Sequence, residues 1–487
     1  MLDTMPDAPP AKHPNRILSV LVLAAISFAL SQTLVVPALP ALAKSLNASA
    51  AAASWVLTGF LLSASVATPI VGKLGDLYGK GRVLTGVMLT FAAGSVICAL
   101  ATSIDVVIAG RVVQGVAGGV FPLAFGVIRD TFPRPRVAGG IGLLSASFGI
   151  GGGIGLPLAG IVVDNLDLSW LFWISLVSVP VALAVHRLVP PSPPVERARV
   201  DWLGAFVLSL SLVAVLLAVT EGGTWGWGSP RTLGLIAGGL LALAVWLRIE
   251  SKHEQPLIEL GVLRDRVVAA TNLSAFLVGF AMFSSFLLIP RFAQAPAGAG
   301  YGFAMSVTAS GFLMAPTAGA QLLAGPLAGP LGVRAGLRIA LAFGAALICG
   351  AFALLAFFHT HPWEFIVGGM LLGAGITFAL ASMANLIVQS VPQSDVGIAT
   401  GINTIMRTVG GAFGAATGTA IVAAHIARSG LPTERGYAIA FLASGASGVL
   451  AVGAALLLPR SRQDAVDDGA QRPPGPDPAR HGERLHA

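Results

Sequence analysis

Charged residues are scarce in this chain, and their scarcity excludes most classes of soluble protein. Only 10% of its 487 residues are charged and 55% are hydrophobic, whereas an ordinary soluble domain carries about 25% charged residues. The net charge of +7 does not indicate a nucleic-acid partner, because the cations stand in short segments between apolar runs and form no basic face. The composition indicates an integral membrane protein whose surroundings are a lipid bilayer.

Cysteine is nearly absent, and so are the motifs of nucleotide and metal chemistry. Cys98 and Cys349, the only two cysteines, fall in apolar segments, where we expect small buried hydrophobes rather than a disulfide or a metal site. The G-x-x-x-x-G-K-[ST] pattern of a phosphate-binding loop does not occur, and no His-Glu-x-x-His pair is present. We therefore expect no enzyme, no cofactor, no metal and no use of ATP.

The apolar residues gather in runs long enough to cross a membrane. A span of the ~30 Å hydrocarbon core needs about 20 residues, and the chain has fourteen runs of roughly that length. They lie at 17–39, 54–74, 83–103, 105–128, 138–162, 169–188, 202–220, 232–249, 267–289, 304–327, 336–358, 363–388, 397–424 and 436–458. We expect an all-α fold of fourteen transmembrane helices between disordered tails at 1–16 and 459–487.

Lysine and arginine are distributed unequally between the two sides that these segments define. If the N-terminus is cytoplasmic, 22 of the 29 cations lie in inside loops and tails, and five lie in outside loops. The remaining two, Arg111 and Arg407, lie within apolar segments. Because cytoplasmic loops of membrane proteins carry the excess of Lys and Arg, we expect both termini to be cytoplasmic.

The stretch from Gly72 to Arg82 lies between the second and third apolar segments and reads G-K-L-G-D-L-Y-G-K-G-R. We interpret it as a short charged loop at the cytoplasmic end of a helical hairpin, whose glycines permit a tight turn. It resembles the loop between helices 2 and 3 of the major facilitator superfamily, G-x-L-x-D-x-x-G-x-[RK]-[RK]. The residues that fit are Gly72, Leu74, Asp76, Gly79, Lys80 and Arg82.

The two halves of the chain echo one another. Gly325–Arg334 repeats the glycine and leucine spacing of the Gly72 stretch 253 residues later, with Gly329 where Asp76 would stand. Internal repeats in a polytopic protein are typical of secondary transporters, and the chain is similar to the fourteen-helix drug/proton antiporters of the superfamily. This resemblance implies a six-helix bundle at 17–188, a linker with an inserted hairpin and an amphipathic connector at 189–266, and a second six-helix bundle at 267–458.

A charged residue and its partner lie inside the fourth apolar segment. Arg111 and Gln114 match the R-x-x-Q-G pattern of the superfamily, in which the arginine is assigned to proton coupling. A charge at this depth costs a few kcal/mol or more unless it faces water or a partner. The alternative is a structural arginine bonded to carbonyl groups of neighbouring helices.

The fifth segment contains the run Gly152-Gly-Ile-Gly155-Leu-Pro157-Leu-Ala-Gly160. The antiporter branch of the superfamily has G-x-x-x-G-P-x-x-G-G here, and Leu156 departs from that pattern. The resemblance implies a smooth hinge that resists proton leakage, formed by Gly152, Gly155, Pro157 and Gly160. The alternative is plain helix packing, since rows of small residues let helices approach closely.

A cytoplasmic gate is expected around the Gly72 stretch. Asp76 can pair with Lys73, Lys80 or Arg82. Asp76 and Asp130 can also form a salt-bridge cluster with Lys73 and Arg82, and a few kcal/mol suffice to bias two conformers. Gly72 and Gly79 belong to this gate through the motif. A solvated charged face is the alternative.

A substrate cavity is expected between the halves. Its candidate residues are Ser31, Gln32, Phe280, Asn385, Asn403 and Arg407. Each polar one has an interhelical hydrogen bond as its alternative role, and the phenylalanine has plain packing.

No acidic residue falls in the middle of an apolar segment. The antiporters usually carry an aspartate in helix 1, within L-D-x-T-x-V-x-x-A-L-P, and this chain has Ser31 at that position. Proton coupling must therefore use another group or be missing. The remaining candidates are Arg111 and, near the expected outer ends of helices, Glu221 and Glu364. A cavity with arginines and no acid favours neutral or anionic hydrophobic solutes over multivalent cations.

The resemblance implies a monomeric secondary transporter of a bacterial inner membrane that exports small hydrophobic compounds, such as drugs or metabolites, by alternating access and proton antiport. The antiporters it resembles confer multidrug efflux and antibiotic resistance. The alternatives are an uncoupled facilitator or importer of one metabolite, a membrane-embedded enzyme, and a sensor whose halves do not rock.

Reporter fusions test the orientation. Alkaline phosphatase, which is active only outside the cytoplasm, should be inactive when fused after residue 16 or after residue 458, and active when fused at the expected outer loop near residue 45. The charge bias is the reason for this result. Phosphatase activity at one terminus and not at the other would contradict it.

Overall fold

Long runs of apolar residues fold as helices here because, in lipid, each backbone N–H and C=O must be paired within its own segment. The computed structural model describes residues 13–190, 201–253, 260–392, 396–427 and 430–458, and the regular elements in these ranges are all helical. Twelve helical spans in these ranges are long and apolar enough to cross a membrane. Two of them, Ile104–Thr131 and Trp170–Leu188, are each divided by a short 3₁₀ turn. The expectation of an all-helical, multi-pass membrane protein is confirmed.

The helices are named in chain order. The first half holds α1 (Pro14–Leu34), α2 (Leu39–Ser45), α3 (Ala50–Tyr78), α4 (Lys80–Ala99), α5 (Ile104–Gly115), α6 (Val120–Thr131), α7 (Arg134–Asn165), α8 (Trp170–Trp173) and α9 (Ser178–Leu188). The remainder are α10 (Trp202–Trp225), α11 (Pro230–Glu250), α12 (Leu260–Arg264), α13 (Arg266–Ala293), α14 (Val307–Ala335), α15 (Leu337–Phe357), α16 (Pro362–Ser390), α17 (Val396–Ala424) and α18 (Glu434–Leu456). Short 3₁₀ turns join α5 to α6 and α8 to α9.

Two boundaries differ from the expectations. The first apolar segment ends as a helix at Leu34, and the chain then forms the separate short helix α2. At its start, α1 begins at Pro14, inside the expected tail 1–16, because proline suits the first turn of a helix. The rest of that tail, the tail 459–487, and parts of the linker and connector lie outside the described residues.

The charged stretch between α3 and α4 is not a loop, which corrects the interpretation of 72–82. Helix α3 continues to Tyr78 and α4 begins at Lys80, so that a single residue, Gly79, forms the corner. Its φ of 94° lies in a region that favours glycine. The same corner recurs between α14 and α15 at Gly336, with a φ of 86°.

These two corners fix the register of the internal repeat, and the register of 253 residues was wrong. Gly79 and Gly336 are 257 residues apart. Val333, not Gly329, therefore stands in the place of Asp76. The sequence Gly325-Pro-Leu-Ala-Gly329-Pro-Leu repeats itself every four residues, so the glycine spacing fitted two registers.

Helices from the two halves of the sequence approach each other closely at glycines. A Cβ atom on Gly142 of α7 would lie 2.6 Å from the carbonyl oxygen of Gly325 in α14. A Cβ atom on Gly72 of α3 would lie 2.9 Å from the carbonyl oxygen of Gly397 in α17. Small residues allow such contact between helix backbones in a membrane. The halves are thus joined along α7–α14 and α3–α17.

Helices α10 and α11 pack against one another, and α10 contacts α3 and α17. Leu208 of α10 and Trp246 of α11 share a small apolar cluster with Ile398 at the start of α17. The opposite side of α11 exposes leucines such as Leu240 and Leu241. The pair therefore covers the outside of α3 and α17 and does not enter the centre.

Substitution of the corner glycine should destabilise the protein. We expect Gly79→Ala to lower the unfolding temperature in detergent, because a non-glycine residue at this φ costs about 1–3 kcal/mol. Gly86→Ala in α4 is the matched control, since no atom lies within 4 Å of its Cβ position and alanine favours a helix by about 0.5–1 kcal/mol. Equal unfolding temperatures for the two variants would contradict the role given to Gly79.

Candidate functional site: two buried arginines and an ion-pair cluster

Arg111 is fully buried and is held by neutral oxygen atoms. Its Nε donates to the carbonyl of Val56 at 3.1 Å. Its Nη1 donates to the carbonyl and hydroxyl oxygens of Ser31 at 3.1 and 2.9 Å, and to Oε1 of Gln114 at 2.9 Å. The guanidinium carbon also lies 4.0 Å from the ring centroid of Phe60, so cation–π attraction adds to the hydrogen bonds.

The network continues from Gln114 into a fourth helix. Nε2 of Gln114 donates to the hydroxyl of Ser95 in α4 at 2.7 Å. A Cβ atom on Gly94 would lie 2.7 Å from the backbone nitrogen of Gln114, so glycine permits this approach. Arg111 of α5 is thereby tied, directly or through Gln114, to α1, α3 and α4. The structure brings Arg111 and Gln114 together as expected, and their part in proton coupling stays a prediction.

Ser31 belongs to this network rather than to the expected cavity. Its hydroxyl oxygen and Gln114 Oε1 each lie 2.9 Å from Nη1 of Arg111, and no other described oxygen is closer to the guanidinium. An acid at position 31 would therefore form a direct ion pair with Arg111. The serine supplies a hydrogen bond and no negative charge, so Arg111 keeps its positive charge without an acidic partner among its described contacts.

Arg407 of α17 lies between the halves in a different setting. Arg407 is only 7% exposed. Its guanidinium carbon lies 4.7 Å from the ring centroid of Phe148 and 5.8 Å from that of Phe121. It lines two small adjoining cavities, which share Arg407 and Thr404. Residues from both halves of the chain line each cavity.

The other expected cavity residues divide into two groups. Gln32 and Asn403 line the cavities beside Arg407. Asn385 lines neither of these cavities, and its amide donates to the carbonyl of Ala381 within its own helix at 2.8 Å.

The phenylalanine of α13 that lines a cavity is also different from the expected one. The backbone of Phe280 packs against Gly414, and Phe283, further along α13, lines the cavity. Phe276, Phe280, Phe283 and Phe286 recur at helical spacing along α13. Which of them lines the cavity depends on how α13 is rotated against α17.

The cation at the centre of the gate cluster is Lys80, one of the three expected partners of Asp76, and this corrects the expected cluster with Arg82. Lys80 Nζ lies 2.9 Å from Asp130 Oδ2 and 3.3 Å from Asp76 Oδ1. Lys80 and Asp76 are each 6% exposed. The corner at Gly79 brings Lys80, the first residue of α4, beside Asp76 at the end of α3, whereas Arg82 is exposed.

This cluster lies where the two halves meet at one end of the bundle. Asp76 Oδ2 lies 3.0 Å from the Cβ position of Gly397, in the first turn of α17, and a carboxylate is favoured near a helix N-terminus. Nη2 of Arg129 donates to the carbonyl of Val391, which follows α16, at 3.1 Å. At the opposite end of the bundle, the hydroxyl of Thr308 in α14 donates to Oδ2 of Asp164 in α7.

The expected hinge residues all lie in α7, where they contact other helices. They are Gly152, Gly155, Pro157 and Gly160. A Cβ atom on Gly160 would lie 2.7 Å from Cα of Thr308 in α14, and one on Gly152 would lie 3.3 Å from the ring of Phe286 in α13. Pro157 stands within the helix. The structure brings Gly152, Pro157 and Gly160 to the interface between the halves, whereas Gly155 packs against Thr33 of α1 within the first half. The hinge itself stays a prediction.

A bundle of apolar helices whose halves contact each other at both ends, and which holds a buried charge between them, defines a polytopic membrane transporter. The chain belongs to the Major Facilitator Superfamily, whose family model matches residues 21–316 and 273–481. This family consists of transporters and not of enzymes, which agrees with the expectation from the motifs. The expected family is confirmed.

Relatives in the family include named exporters. The chain is 28% identical over 421 residues to the multidrug transporter protein MdtP of Bacillus subtilis, covering 85% of this chain and 76% of that protein. It is 27% identical over 424 residues to the tetracenomycin C resistance and export protein of Streptomyces glaucescens, covering 85% and 78%. It is 33% identical over 412 residues to an uncharacterized MFS-type transporter of Mycobacterium tuberculosis, covering 83% of this chain and 58% of that protein's length.

A solved structure supports the fold. The human organic anion transporter MFSD10 (TETRAN) superposes with a TM-score of 0.63 at 17% identity, covering 92% of this chain and all of that one. An identity this low shows a shared fold alone.

Removal of Lys80 should destabilise the protein far more than removal of Arg82. We expect Lys80→Met to leave two buried carboxylates without their shared cation, at a cost of about 3–5 kcal/mol, and to lower the unfolding temperature in detergent. Arg82→Met is the matched control, because its side chain is exposed. Adding Asp76→Asn and Asp130→Asn to Lys80→Met should recover part of the loss. An unfolding temperature for Lys80→Met as high as that of Arg82→Met would exclude this role of Lys80.

Proposed function

We propose that this protein exports small hydrophobic compounds, drugs or metabolites, by alternating access, with protons exchanged in the opposite direction. The observation that carries this proposal is the position of Arg407 in cavities lined by both halves of the chain. The cavities are too small for such a compound while the halves are closed on each other. A compound bound there after the halves part contacts both of them at once. Rocking of the halves about it then exposes the site to one side of the membrane at a time.

The proposal includes the architecture. In it, fourteen helices span the membrane: the twelve apolar helices together with α14 and α17, each of 29 residues. Residues 17–188 and 267–458 form the two six-helix bundles, and α10 and α11 are the inserted hairpin. The peripheral position of α10 and α11 supports this division. The excess of Lys and Arg supports cytoplasmic termini, and the bacterial relatives support a bacterial inner membrane.

Contacts at the two ends supply the gates. Opening toward the end that holds Lys80 separates Asp76 from α17 and Arg129 from the carbonyl of Val391. Opening toward the other end separates Asp164 from Thr308. Such contacts are individually weak, yet a few kcal/mol decide which of two conformers is populated. The small residues of α7 let it slide against α14 without large side-chain rearrangement.

Arg111 is the residue that we assign to coupling. It ties α1 to α3 and α5 within one half, so that a change in its hydrogen bonds shifts three helices together. Its Nη2 has no hydrogen-bond partner among the described residues, so the guanidinium can change partners when the helices around it move. The relatives named as a multidrug transporter and as a tetracenomycin C export protein support export of hydrophobic compounds as the direction and the substrate class.

A second candidate is an uncoupled facilitator or importer of one metabolite. The observation that favours it is the neutral surrounding of Arg111: its hydrogen-bond partners among the described residues are backbone carbonyls, a hydroxyl and an amide. A proton-coupled site ordinarily includes a carboxylate or histidine that titrates.

Proteoliposomes distinguish the two candidates. With an acidic lumen that contains a pH-sensitive dye, addition of a transported compound outside should raise the lumenal pH if protons leave in exchange. At equilibrium, one-for-one exchange should accumulate the compound about tenfold per pH unit imposed. Neutral, anionic and cationic hydrophobic compounds should be tested separately. Transport without any effect of the pH gradient would overturn proton antiport and support the facilitator.

A variant tests the assignment of Arg111. We expect Arg111→Lys to keep transport along a solute gradient and to lose most of the pH-driven accumulation, because a compact ammonium cannot reproduce the forked hydrogen bonds of a guanidinium. Arg248→Lys, at an exposed position of α11, is the matched control. Undiminished pH-driven accumulation in Arg111→Lys would show that coupling uses another group.

A further inference from the structure

The central cavities contain one ionisable side chain, and it is positively charged. Among the residues that line the two cavities, Arg407 is the only Asp, Glu, His, Lys or Arg. No described residue forms a hydrogen bond or an ion pair with its guanidinium; its described contacts there are the faces of Phe148 and Phe121. Among the described residues, the protein therefore buries this positive charge without supplying a negative one.

The neighbouring polar side chains do not compensate for this charge. The hydroxyls of Thr404 and Thr400 donate to backbone carbonyls one turn earlier in α17, at 3.0 and 2.6 Å. The amide of Asn403 donates to the carbonyl of Thr271 and to Oδ1 of Asn272. These groups are fixed by the helices and do not turn toward Arg407 as acceptors in the described contacts.

Two other polar side chains at the cavities are available for hydrogen bonds with a ligand. Ser145 Oγ, which is buried without a hydrogen-bond partner among the described residues, lines one cavity with Arg407. Gln32 lines the other, and no hydrogen bond of its side chain to a described residue is found. Both lie in the first half of the chain, whereas Arg407 lies in the second.

A buried cation without a counter-ion is costly, and an anionic ligand removes that cost. We propose that Arg407 binds the acidic group of an aromatic or otherwise apolar monoanion, with Ser145 and Gln32 as additional donors and with the aromatic walls against its apolar body. A guanidinium holds a carboxylate or sulfonate through two parallel hydrogen bonds. This inference rests on the proposed function for transport, but the binding site itself does not require transport.

The single charge also determines how the membrane potential acts. The unloaded cavity carries one positive charge, and the cavity loaded with a monoanion carries none. A complete export cycle therefore moves one negative charge outward, in addition to any charge carried by exchanged protons. An inside-negative potential drives this movement, at about fiftyfold accumulation per 100 mV for one charge. An energy source for export thus exists without a carboxylate in the cavity.

Binding to the purified full-length protein tests the site. Three probes share one ring system: 2-naphthalenesulfonate (anionic at all accessible pH), 2-naphthalenesulfonamide (neutral) and 2-naphthylmethylammonium (cationic). Calorimetry should give the order sulfonate, sulfonamide, ammonium, from tightest to weakest. Arg407→Gln should weaken sulfonate binding at least tenfold and leave sulfonamide binding within twofold. Arg407→Lys should retain part of the preference for the anion.

Arg435→Gln, which removes an exposed arginine outside both cavities, should change none of these values. If Arg407→Gln does not fold, the order of the three probes on the unsubstituted protein decides. Sulfonate binding no tighter than sulfonamide binding, or unaffected by Arg407→Gln, overturns the inference.

Transport tests the charge movement. In proteoliposomes with equal pH on both sides, a lumen-positive potassium diffusion potential should accumulate 2-naphthalenesulfonate, and a lumen-negative potential should not. Accumulation that ignores the sign of the potential overturns the electrogenic step. Arg407-dependent binding with no transport of any probe would leave the site intact and refute the proposed export, so the two failures are distinguishable.

Discussion

A positive charge buried among apolar helices has to be compensated, and three buried cations of this protein meet that requirement in three ways. Lys80 lies between two carboxylates. Arg111 is surrounded by neutral oxygens and an aromatic face. The guanidinium of Arg407 has only aromatic faces among its described partners. The cation with two carboxylates lies at one end of the bundle, and the cation with aromatic faces alone lies at the cavities between the halves.

The same contrast separates structural roles from those that change during a transport cycle. Arg111 joins helices of one half, and its partners therefore move with it. Lys80 pairs with two carboxylates of the first half. One of them, that of Asp76, packs against the start of α17 in the second half. Arg407 extends from the second half toward aromatic rings of the first. Contacts within a half define a rigid unit, and contacts between the halves are the ones that can exchange.

Glycine has a comparable role in the apolar part of the interface. Without a strong hydrophobic driving force between helices in lipid, association depends on close packing. Gly142 and Gly72 allow α7 and α3 to reach the backbones of α14 and α17. These two helix pairs are related by the internal repeat, since α3 and α14 both end at a glycine corner, Gly79 and Gly336. One structural unit, used twice, thus builds both contacts between the halves.

Much of this was readable from the sequence, and the exceptions have two causes. Runs of apolar residues predicted the helices, because the bilayer dictates their length, and the charged stretch around Asp76 indicated the family. The sequence could not choose the repeat register, because Gly325 and Gly329 begin similar tetrads.

It also could not select Lys80 over Arg82 as the central cation, Phe283 over Phe280 at the cavity, or Arg111 as the partner of Ser31. Composition and local spacing determine which segments become helices and where charges fall along them. The rotation of each helix about its axis, and hence which side chains meet, is decided only by the packing of many helices at once.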